Sequence, residues 1–110
     1  MLENKTKVWN DETTEQLVKA LISIDSVSGM QNFLRDVMTE KEIIEISARL
    51  EAACMLRAGC TYTDIVAKTK LSSRTIARIS DWMQNGCGGY ATTLDLIGSH
   101  HDHISPVRAA

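Results

Sequence analysis

Proline occurs once in this chain, at Pro106, and Phe, Tyr and Trp together make up only 5% of it. Sheets need aromatic and β-branched side chains and frequent turn residues, so this poverty argues against strands and for an all-α fold. Cysteine is scarce as well: Cys54, Cys60 and Cys87 are odd in number and lack C-x-x-C spacing. That excludes a disulfide framework or a structural zinc site and leaves reduced thiols, with Cys54 as a small core residue. No segment approaches the ~20 apolar residues of a membrane span, and "MLENKTKVWNDETTEQ" at the N-terminus lacks a signal peptide's apolar run. The chain reads as soluble and cytoplasmic, with no membrane partner. All three histidines, His100, His101 and His103, lie in one C-terminal cluster, "SHHDH". No Ser–His–Asp set or carboxylate pair stands out, so an enzyme is not expected. The histidine cluster sits in a patternless tail without a scaffold to fix ligand geometry, so no metal is expected either.

What is present suits one helical domain. A chain of 110 residues, 44% of them hydrophobic, can bury roughly two thirds of its unfolded surface. The domain is expected over residues 1–98, with 99–110 as a flexible tail. Leu17, Val18, Leu21 and Ile22 form an apolar stripe at helical spacing between about Asp11 and Ile24. Phe33, Leu34 and Val37 predict a second, shorter helix over 29–37, closed by Met38. "TEKE" opens the longest helix, with Thr39 and Glu42 at capping-box spacing. Ile43, Ile46, Leu50, Ala53 and Cys54 give that helix one apolar face, and Ile44 and Met55 add others, so burial against several partners is expected. Gly59 should stop it, with Arg57 in its last turn.

The densest pattern follows, "YTDIVAKTKLSSRTIARISDWM". Thr61 with Asp64 repeats a capping pattern, and a helix of about eight residues runs to Thr69. Ser72 offers the N-cap of a further helix to Asn85, where Asn85-Gly86 stops it. "ATTLDLIG" forms one more short helix. Tyr62 and Ile65 are expected to anchor the first of the pair, Leu71 to plug the turn, and Ile76 and Ile79 to face the core. This is helix-turn-helix spacing, over about 62–85. With Ile76 and Ile79 inward, Ser73, Arg74, Ala77 and Arg78 face outward, and the two arginines, four apart, share one face. Arginine suits guanine edges and phosphates alike.

Net charge is −2, yet residues 61–85 carry Lys68, Lys70, Arg74 and Arg78 against Asp64 and Asp81. Affinity for DNA depends on where positive charge sits, so this local excess favours double-stranded DNA as partner. Lys70 stands in the turn where glycine is usual, and a positive φ there would cost about 1–2 kcal/mol. A helical hairpin with merely solvated arginines, serving dimerisation or protein interaction, is the other reading of the same residues.

Residues 33–90, including "TEKE", Arg49, "RAGCTYTDI", "SSRTIAR" and "NGCGGY", resemble the tryptophan-repressor superfamily, in particular its short bacterial Trp-repressor-like branch of the YerC/YecD type. The resemblance implies five to six helices, an intertwined homodimer, and transcriptional regulation, as a repressor, at a palindromic operator. It places Thr63, Ser72, Ser73, Arg74, Thr75 and Ala77 where the family touches DNA. Arg49 and Arg78 match two arginines that flank bound tryptophan in the tryptophan-responsive member. Ile79 and Trp82, however, stand where that pocket has smaller residues. They argue against tryptophan as corepressor, and for a ligand-independent repressor or a different small effector. Without an effector, Arg78 is free for DNA.

Overall fold

The computed structural model describes residues 7–104, and the side chains of 7–98. Among the described residues six helices follow one another: α1 Glu12–Ser23, α2 Val27–Val37, α3 Glu40–Arg57, α4 Tyr62–Thr69, α5 Ser73–Asn85 and α6 Gly89–Ile104. The fold is all-α, and the helix ends show why.

Each of the first five helices starts with a side-chain oxygen on an orphan amide. Asp11 accepts from the Thr13 amide at 3.1 Å, and Ser26 from the Gly29 amide at 3.0 Å. At α3 the expected capping box is complete. The Glu42 amide donates to Thr39 Oγ1 (3.1 Å), and the Thr39 amide donates to Glu42 Oε1 (2.9 Å). Thr61 caps α4 through the Asp64 amide, and Ser72 caps α5 through the Thr75 amide, both at 3.1 Å. Gly59, at φ 88°, ends α3: its amide reaches Leu56 O and the Cys60 amide reaches Met55 O, each at 3.0 Å. That pair of bonds is a Schellman stop, which needs a left-handed residue where glycine stands. α6 runs past the expected end at 98, because nothing before Ser105-Pro106 forbids helix there. His100, His101 and His103 fall in this last part, and their side chains lie outside the described residues, as do positions 105–110.

The chain forms two compact units that divide between Ser47 and Ala48, within α3. In the first, α1 and α2 bury no residue, and Ile22, Val27, Ile44 and Ile46 are exposed. Ile46, on the stripe with Ala53, is 55% exposed within its own chain. The second unit holds the core: Ala52, Ala53, Ile65, Ile76, Ile79 and Leu94. Cys54, Met55, Leu71, Val66, Met83 and Tyr90 pack against it, half-buried. Ala52 and Ala53, both at 0%, are the deepest part of α3, since a side chain of one carbon lets other helices come close. Ile65 is the fully buried anchor of α4, with Val66 half-buried beside it; Tyr62, expected to share the role, is 41% exposed. Tyr62 is the first residue of α4, three positions before Ile65, and the core fully buries only Ile65 of this eight-residue helix.

Ion pairs tie this unit across its surface. Arg57 in the last turn of α3 holds Asp95 of α6, and Lys68 of α4 reaches Glu51 of α3 at 3.7 Å. Arg57, Asp95 and Lys68 are exposed and Glu51 is half-buried, so the pairs add register more than stability.

Candidate nucleic-acid interface

The turn between α4 and α5 consists of Lys70, Leu71 and Ser72. Lys70 takes φ 65°, ψ 11°, the left-handed conformation, and its amide closes α4 on Val66 O at 2.8 Å. Leu71 then points back to the core, half-buried, as expected of the plug. Its amide is met by Thr69 Oγ1 at 3.2 Å, and that hydroxyl donates in turn to Ile65 O at 2.7 Å. So the turn is held from inside by a side chain the sequence reading passed over. Thr69 was visible only as a helix end; its double bond needs the fold of the turn.

Ile76 and Ile79, both at 0% exposure, fix the rotation of α5. At 100° per residue, the opposite face carries Arg74, Arg78, Asp81 and Asn85, all exposed. Ser73 and Ala77 flank this row and are exposed too, as is Thr63 at the start of α4. Thr75 is half-buried and is engaged with the cap: Ser72 Oγ accepts from its amide and donates to its hydroxyl, both at 3.1 Å. Ser72 and Thr75 are therefore occupied in shaping the helix start. The amides of Ser73 and Arg74, in the first turn, have no intrahelical acceptor and suit an anion.

The charge on this surface is narrower than the sequence count implies. Lys68 is drawn aside to Glu51, whereas Lys70, Arg74 and Arg78 make no ion pair among the described residues. Asp81 shares their face, and its carboxylate accepts from the Asn85 amide group at 2.8 Å. A carboxylate repels phosphate, so the basic surface is confined to the turn and the first half of α5. Sequence reasoning missed this limit, although the seven-residue spacing from Arg74 to Asp81 contains it.

Arg49 lies half-buried on α3. Of the two residues expected to fill an effector pocket, Ile79 is wholly inside the core, while Trp82 is 40% exposed on the flank of α5. Among the described residues there is no cluster of three metal-ligating side chains, and no helix is long and apolar enough to cross a membrane.

Comparison with known proteins places this arrangement. The model of the Trp repressor protein family matches residues 12–97. The uncharacterized protein YerC of Bacillus subtilis (strain 168) is 34% identical over 83 residues, which span 76% of this chain and 80% of that protein. The crystal structure of a TrpR-like protein from Eubacterium eligens ATCC 27750 superposes with a TM-score of 0.80 at 35% identity, covering 84% of this chain and 95% of that one.

Proposed function

The chain belongs to the Trp repressor family, one of DNA-binding regulators rather than enzymes, and from that premise we propose that it is a sequence-specific transcriptional repressor. The observation that carries this reading is the outward row of α5. Arg74 and Arg78 are exposed and outside any described ion pair, on a helix whose rotation is set by two fully buried isoleucines. Ser73, Arg74, Ala77 and Arg78 face the major groove, Thr63 approaches the backbone, and Ser72 and Thr75 hold the helix end that meets it. Occupying an operator occludes the promoter.

The active species is a homodimer. One reading helix gives too few contacts for specific affinity, and a two-fold axis sets two such helices about 34 Å apart, over successive major grooves of a palindrome. The apolar side chains of α1, α2 and the first half of α3 support it: Ile22, Val27 and Ile44 are 77%, 76% and 61% exposed, apolar surface that a partner copy would cover. In that dimer residues 1–98 act as one domain, working in the bacterial cytoplasm.

Selecting bound fragments from fragmented host DNA tests the reading. The wild-type protein should enrich a palindromic site; a folded dimer that enriches nothing would instead be a helical interaction module. Tryptophan is disfavoured as corepressor, because Ile79 and Trp82 stand where the tryptophan-responsive member has smaller residues. Operator affinity measured with and without added tryptophan should be the same. Tighter binding with the amino acid would mean that a working effector pocket lies between Arg49 and Arg78.

A further inference from the structure

Lys70 is the one described non-glycine residue with a positive φ. Glycine adopts that conformation freely, and lysine does not. The position is exposed, so no packing requirement calls for a long side chain. Nor does an internal ion pair, since Lys70 makes none among the described residues while Lys68, two positions earlier, is held by Glu51. The left-handed turn closes α4, which glycine would do at lower cost, so the lysine side chain next to a basic face is the feature left to account for. We propose that Lys70 binds a backbone phosphate of DNA, as a sequence-independent anchor that sets the register of α5; the assignment rests on the DNA-binding reading above.

Three features select phosphate over a base. The lysine ammonium is a point charge on a flexible stem and lacks the planar fork with which arginine reads guanine. Lys70 sits in the turn, before the helix whose side chains enter the groove. Finally, it extends the unpaired positive charge of Arg74 and Arg78 away from Asp81, the side on which phosphate is tolerated.

The test compares wild-type protein with Lys70→Gly, Lys70→Asn and Lys70→Arg, binding both the selected site and random duplex DNA across a salt series. Glycine and asparagine both accept the left-handed conformation, so the variants fold, and Lys70→Gly should melt above wild type. The slope of log affinity against log salt should fall by about 0.9 for each lysine removed, hence by about 1.8 per dimer. The loss should be alike on specific and random DNA, and Lys70→Arg should restore it. Higher thermal stability combined with a shallower salt slope is a pairing that a purely structural role for Lys70 does not produce. An unchanged slope in Lys70→Gly, with steep salt dependence in wild type, overturns the anchor alone. A loss confined to the selected site also overturns it, in favour of base contact. Wild-type protein that binds no DNA overturns the DNA-binding reading and the anchor with it.

Discussion

Ile76→Ala should lower the free energy of unfolding by about 2–5 kcal/mol, read as a shifted urea midpoint. The side chain is at 0% exposure in the core that α5 shares with α3, α4 and α6, so truncation removes buried apolar area and leaves a cavity that close-packed neighbours fill only in part. For a domain whose whole stability is about 5–15 kcal/mol, that is a large share. A wild-type midpoint in this variant would mean that α5 is rotated from its assigned phase, and the outward placing of Arg74 and Arg78 would go with it. The same truncation at Ile22 is a useful contrast. Ile22 is 77% exposed within its own chain, so the loss there should depend on protein concentration, as it does when the face is buried by a partner copy.

The second large effect is on binding. Arg74→Ala combined with Arg78→Ala should abolish enrichment of the palindromic site while leaving the melting temperature close to wild type. Each arginine that reads a base contributes about 1–3 kcal/mol of specific affinity, and a dimer loses every such contact twice. Neither side chain is buried or held in an ion pair among the described residues, so the fold has little to lose. Single variants then separate the roles. Loss on the operator alone assigns base reading, and equal loss on random DNA assigns phosphate contact. Enrichment by the double variant at the wild-type level would remove α5 from the interface.

Much of this was legible in the chain because it is local. Thr39 with Glu42, Thr61 with Asp64, and Ser72 before its helix are separated by no more than three residues, and each bond forms inside one turn of backbone. Gly59 and Lys70 take the left-handed conformations that their positions demanded. The spacing of Ile65, Leu71, Ile76 and Ile79 fixed helical phase by arithmetic, and the three isoleucines are the largest fully buried side chains of the described residues. What spacing alone did not determine is which of several eligible residues the core accepts. Tyr62 and Ile65 were equally apolar on paper, and only packing against α5 chose Ile65. Ile46 and Ala53 shared a stripe, yet within one chain only Ala53 is buried.

Charge divides the same way. The sequence determined that four cations lie between residues 61 and 85; the tertiary structure decided that Lys68 belongs to Glu51, seventeen positions earlier, and that Lys70, Arg74 and Arg78 face outward. A cap or a helical phase depends on neighbours a few residues away, which the chain specifies directly. Burial and ion pairing depend on which distant surface arrives opposite, and that is settled only when the helices pack.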